Sequence, residues 1–215
     1  THAFFKALLF LAAGSVIIGM HHIQDMRQMG GLRKQMPVTY WTALIGSLAL
    51  IGFPGTAGFY SKDIIIEAIH ESHRAGAGYA AFCVTAGVFI TALYSFRLVF
   101  LVFFGEGRMD HHTRDHLHES PRVVTLPLIL LAIPSLLIGA FLAGPMLFGD
   151  YFGHAIHVDH AHDPMHELAH HWHGALSFAL HGFTGLPFWL ALAGVATAGF
   201  LYLVRTDLPA RIERL

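Results

Sequence analysis

Among the ionisable side chains within or beside the apolar stretches of this sequence, His2, Lys6, Lys62 and Asp63 could do chemistry. A charge within a membrane-length apolar run is costly, and such residues by default mark an ion or proton path. Lysine suits that chemistry, because its pKa moves readily on burial. His2 and Lys6 are four residues apart and share one helix face. A plainer role is also open to Lys6, as a side chain snorkelling from the end of a short span. Lys62 and Asp63 follow an interruption, Gly52-Phe53-Pro54-Gly55. Broken helices free backbone groups at membrane depth, and they recur beside ionisable residues in ion paths. The alternative is a cap at the outer interface, with Glu67 one turn on.

Histidine is the other group able to do chemistry, with 18 copies against 13 Lys+Arg. Nine of the 18 fall between His154 and His181. Asp163-Pro164 reads as a helix start, and His162, His166, His170 and His173 follow at helical spacing. Imidazoles four apart can bind zinc or a similar metal. No ordered ligand set can be read, so a solvated loop without metal is expected. A second cluster, His111, His112, His116 and His118 with Asp110, Asp115 and Glu119, also reads as a solvated loop. His21 and His22 stand where the first apolar stretch ends.

The elements that must position these residues are apolar helices. Hydrophobic residues make up 54% of 215 and charged residues 13%, with a mean hydropathy of +0.54. That excludes disorder, a collagen-like repeat and a disulfide scaffold, and the spans placed below exclude a soluble enzyme. A net charge of −1 offers no basic field for nucleic acid. The single cysteine, Cys83, forms no disulfide within the chain. The expected fold is all-α, a polytopic transmembrane bundle with about five spans in one membrane unit over 1–215. The spans are placed at 3–20, 38–69 (broken near 52–55), 79–104, 123–148 and 186–204, with a His-rich outer loop over 149–185. Apolar runs without alternation do not suit a lipid-facing barrel. The ends, Thr1-His2-Ala3-Phe4 and Glu213-Arg214-Leu215, read as cuts through a longer protein.

The loops predict a direction. Arg27, Arg33 and Lys34, then Arg108, Arg114 and Arg122, then Arg205, Arg211 and Arg214 fall on one side if the spans alternate. The opposite loops carry only Arg74. That asymmetry places the basic loops in the cytoplasm. Arg97 lies near enough to that end to snorkel.

Three motifs carry a resemblance: THAFFKALLFLAAGSVI (Thr1 to Ile17), MGGLRKQMP (Met29 to Pro37) and GFPGTAGFYSKD (Gly52 to Asp63). In this order they resemble the subunit L family of bacterial proton-pumping NADH:quinone oxidoreductase (respiratory complex I). These are antiporter-like membrane subunits, akin to those of multisubunit cation/proton antiporters. The resemblance is dense to about Arg97 and weak in the His-rich loops. It implies that Lys6 is the central proton-carrying lysine and His2 its relay neighbour. It likewise implies that Lys62 is the terminal lysine of a half-channel and Asp63 its adjacent carboxylate. One departure is visible: the family's two consecutive prolines are here Pro54-Gly55. The resemblance also implies that an acidic partner lies upstream, that this is roughly a third of a subunit, and that Pro209 to Arg214 approach a lateral helix.

The function so implied is proton translocation coupled to redox in other subunits. The chain lacks a Gly-rich dinucleotide fingerprint and a cysteine set for a cluster, so no cofactor is expected in it. NADH, FMN, iron–sulfur clusters and quinone are expected in partner subunits. The expected partners are other membrane-arm subunits and the bilayer, in the bacterial cytoplasmic membrane. The alternative is a subunit of a sodium/proton antiporter. The Ser61-Lys62-Asp63 triplet and the stretch from Gly14 to Lys34 are closer to the respiratory branch. A third reading is a scaffold whose lysines pair without moving protons.

Overall fold

The computed structural model describes residues 1–156 and 164–212, so His162 and Asp163, and Glu213 onwards, lie outside the described residues. Every regular element among them is helical. Helix α1 (His2–Gly19), α2 (Pro37–Ile51), α3 (Ala57–His70), α4 (Ala77–Phe103), α6 (Arg122–Leu147) and α9 (Leu186–Gly199, extended by a π turn to Val204) form the bundle. Short helices α5 (His111–His116), α7 (Pro164–His171), α8 (Ala175–Gly182) and α10 (Asp207–Ile212) lie in the connections. Four helices are long and apolar enough to cross a bilayer: His2–Gly19, Ala77–Phe103, Arg122–Leu147 and Leu186–Val204. Pro37–Ile51 is a shorter apolar helix, and with α3 it makes up the broken fifth element.

The helices pack through small residues. On α1 the buried stripe is Phe5, Leu8, Ala12, Ser15, Val16 and Gly19, at helical spacing. On α6 it is Leu128, Ala132, Ser135, Gly139 and Ala143. Between apolar helices in lipid, close approach is the main source of attraction, and small side chains permit it. At Gly194 of α9 a Cβ would fall 2.8 Å from Ala92 Cβ of α4, so that crossing depends on the missing side chain. Large apolar side chains point outward instead: Phe10, Phe82, Val123 and Phe141 are all at least 70% exposed. Such a surface fits lipid or neighbouring subunits, not water.

The segment expected as a loop over 149–185 is partly helical. Its α7 and α8 fold back on α3 through an aromatic cluster: Phe59–Phe178 at 5.1 Å, Trp172–Phe178 at 5.4 Å and Phe148–Trp172 at 5.0 Å between centroids. The Tyr60 hydroxyl donates to the Ala175 carbonyl at 3.1 Å. Apolar residues between the histidines drive this return, and the density of histidine masks them in the sequence. At the other end of the bundle, His21 and His22 take left-handed φ values of 51° and 71°. The His21 ring lies 6.1 Å from the rings of His112 and His116, so the exit of α1 meets α5.

Candidate functional site

The interruption in the second span is built by its sequence. Gly52 sits at φ 77°, ψ 43°, the left-handed region that glycine enters without steric cost. The Phe53 amide donates to the Leu48 carbonyl at 3.0 Å and the Gly52 amide to the Ala49 carbonyl at 3.3 Å. This is a Schellman ending, which satisfies two of the terminal carbonyls. Pro54 cannot continue the helix. The chain then turns over Gly55 (φ 90°), where the Thr56 hydroxyl donates to the Phe53 carbonyl at 2.7 Å, and α3 begins at Ala57. Gly58 lies so close to α2 that a Cβ would overlap the Ala49 carbonyl oxygen.

Lys62, about one and a half turns into α3, reaches back across this break. Its Nζ donates to the Ile51 carbonyl at 3.1 Å. The aliphatic stem passes beside Gly52, whose Cβ would fall 3.1 Å from Lys62 Cδ. A cation here meets both a carbonyl left over by the ended helix and the negative end of the α2 dipole. Sequence reasoning placed Lys62 beside the break; it did not reveal that the ammonium closes it.

Asp63 faces another way, into a cavity of about 540 Å³ between α3, α7 and α8. Glu67 and His70 of α3, and Glu71 just past its end, line the same space with Thr85, His173 and His181. His70 Nε2 lies 3.5 Å from the Thr85 hydroxyl. The 63, 67, 70, 71 spacing is helical and legible in the sequence, whereas the shared cavity is not. His181 comes from the returning segment, and no local spacing points to it. Among the described residues, no group of three or more His, Cys, Asp or Glu is arranged to hold a metal.

Lys6 and His2 lie on α1. His2 is exposed and its ring packs edge-on to Phe5 at 5.3 Å. Lys6 is half-buried and makes no hydrogen bond or ion pair with the described residues. The start of α1 does approach α3: the Thr1 hydroxyl donates to Ser61 Oγ at 2.9 Å, one residue from Lys62.

The opposite end of α2 carries a group that the sequence reading placed in a solvated loop. Pro37 opens α2 and has no amide proton, so Val38 and Thr39 present the first free donors. The half-buried Glu119 takes both: Oε2 accepts from Val38 N at 2.7 Å and Thr39 N at 3.2 Å. Oε1 accepts from the Thr39 hydroxyl at 2.6 Å and Ser120 N at 3.1 Å. Ser15 Oγ of α1 lies 2.7 Å from both Thr39 Oγ1 and Ser120 Oγ. Helix α2 therefore has a carboxylate at its positive end and an ammonium at its negative end. The carboxylate arrives from residues 80 positions away, and local patterning does not reveal such a cap.

Residues 1–93 match the family described as NADH:quinone oxidoreductase/Mrp antiporter, TM. The chain is 52% identical to NADH-quinone oxidoreductase subunit L of Neisseria meningitidis serogroup A, over all of this chain and 34% of that protein. It is 49% identical to subunit L of Rhodobacter capsulatus over 71% of this chain and 22% of that one. It is 51% identical to NADH-ubiquinone oxidoreductase chain 5 of Dictyostelium citrinum over 65% and 21%. The chain thus spans about a third of the length of the curated relatives that match all of it. The motifs of the first ninety residues, the helical bundle with its broken element and this similarity agree: the chain is a membrane protein that belongs to the antiporter-like NADH:quinone oxidoreductase subunit family, as a segment of the subunit L type.

Proposed function

We propose that this chain is part of an antiporter-like subunit of NADH:quinone oxidoreductase and carries protons through Lys6 and Lys62, driven by redox chemistry in other subunits. The observation that supports this reading most is the Lys62 ammonium held against the Ile51 carbonyl at the helix break. A protonated Lys62 is anchored there; a neutral one loses the charge that favours the contact. Asp63 then stands as the acceptor next in line, facing the cavity. His2 is the neighbour through which Lys6 exchanges its proton. A charge change near Lys6 alters the occupancy of Lys62, since like charges repel strongly in a medium of low dielectric. Each proton moved against 100 mV costs about 2.3 kcal/mol, which the coupling must exceed.

In this reading the chain is one membrane unit, with NADH, FMN, iron–sulfur clusters and quinone bound by partner subunits of the membrane and peripheral arms. It lies in the bacterial cytoplasmic membrane with its basic loops in the cytoplasm, as the distribution of Lys and Arg supports. The test uses inverted membrane vesicles with the full-length subunit in its assembled complex. NADH-driven proton uptake and NADH oxidation are compared for wild type, Lys6→Ala and Lys62→Ala. Uptake falls in both variants while assembly persists. Unchanged uptake with a collapse of sodium/proton exchange assigns the subunit to an antiporter instead, and loss of assembly without any specific pumping defect makes the lysines structural.

A further inference from the structure

The motif Met29 to Pro37 has no part in the proton path, yet it builds a site of its own. Its glycines and cations meet the end of α4 around a cavity of about 570 Å³. The cavity is lined by Arg33, Lys34 and Arg114 against one carboxylate, Glu106. Its walls are fixed. The Gly31 amide donates to the Phe104 carbonyl at 3.0 Å. Arg108 binds the loops together from behind, donating to the Arg27 carbonyl at 2.8 Å and the Leu101 carbonyl at 2.7 Å. Arg33 is already positioned, its guanidinium 4.8 Å from the centre of the Phe104 ring. Left-handed Gly31 and Gly105 (φ 69° and 72°) bring the two backbones this close.

A second, apolar space of about 210 Å³ lies between α1, α2 and α4. The same two segments border both: Met29 and Phe103 line the apolar space, and Gly30 and Gly105 line the basic one. The apolar space runs to Ala13, Leu50 and Ser95. Ser95 is 5% exposed, and its hydroxyl has no hydrogen-bond partner among the described residues. It lies about 12 Å along α4 from Phe103. The mouth sits at an aromatic level, with Tyr40 packed on Phe103 and Phe104 and with Trp41 60% exposed, as at a membrane interface.

We propose that this is a binding site for an anionic phospholipid. The phosphate sits among Arg33, Lys34 and Arg114, and an acyl chain fills the apolar space. Guanidinium groups suit phosphate, because they offer paired donors in a fixed fork. A soluble phosphate shares the headgroup chemistry but leaves the apolar space unexplained. The site is independent of the lysine path.

The test measures phosphatidylglycerol retained by the purified complex containing the full-length subunit, after exchange into mixed phosphatidylglycerol and phosphatidylcholine micelles. Arg33→Gln with Arg114→Gln weakens retention roughly fivefold for each cation removed (about 1 kcal/mol each). Ala13→Phe, which keeps every charge and fills the apolar space, weakens it as well. Glu106→Gln, which removes the opposing carboxylate, strengthens it and keeps the test informative if the double variant does not assemble. Arg74→Gln, in a remote loop, changes nothing. Equal retention by wild type, Ala13→Phe and Glu106→Gln overturns the proposal. So does displacement of the lipid by millimolar inorganic phosphate with no effect of Ala13→Phe, which identifies the ligand as a soluble phosphate.

Discussion

The two lysines differ in what their helices offer them. Helix α1 is continuous past Lys6, so its carbonyls are spent on its own amides, and Lys6 finds no polar partner among the described residues. Helix α2 ends at Gly52, and the carbonyl so released at Ile51 receives Lys62. A cation inside a bundle needs either such a backbone acceptor or a side-chain partner. The break therefore does more than interrupt a span. It makes a fixed seat for one cation, and the continuous α1 offers none to the other.

The most damaging way to break this contrast is Gly58→Ala. The new methyl overlaps the Ala49 carbonyl, and overpacking of this kind costs about 1–3 kcal/mol or more. The expected outcome is loss of the assembled complex, read on a native gel; normal assembly means that α3 does not rest on the end of α2.

Lys62→Ala sharpens the comparison. It leaves the Ile51 carbonyl without its donor, at a cost of about 1–3 kcal/mol. Thermal denaturation of the assembled complex shows this as a lowered midpoint. Lys6→Ala, with no hydrogen bond to lose among the described residues, changes stability by less than about 0.5 kcal/mol and moves the same midpoint correspondingly less. Equal shifts would remove the distinction drawn here.

Glu119→Ala tests the other end of α2. Four donors lose their acceptor, and the peptide from Met36 to Tyr40 exchanges its amide hydrogens faster. Glu119→Gln keeps an acceptor but loses the charge, so its effect is smaller. An unchanged exchange rate in Glu119→Ala would show that the cap is idle.

The smallest effect concerns α5. Hydrogen bonds from the Thr113 side chain and amide hold the Asp110 carboxyl below its usual range. Because the folded value is the lower one, this stabilisation is complete above the ordinary carboxylate pKa of about 4 and disappears as the pH falls through the depressed value. Asp110→Ala raises exchange in residues 111–116 at neutral pH and leaves the peptide carrying Lys62 untouched.

Much of this was legible from the chain alone. Apolar runs of bilayer length determine helices whatever surrounds them, because backbone groups in lipid must be satisfied within the segment. Gly52-Phe53-Pro54-Gly55 determines the break, since a left-handed glycine and a proline stop a helix locally. Lys6, His2, Lys62 and Asp63 were visible as ionisable groups in apolar surroundings. The tertiary structure decided which way each one points. It joined Glu119 to an amide pair 80 positions away, returned α7 and α8 onto α3 to close the cavity at Asp63, and set Arg33 beside Arg114. Those contacts join residues far apart along the chain, and a one-dimensional pattern records each residue without recording which element it meets.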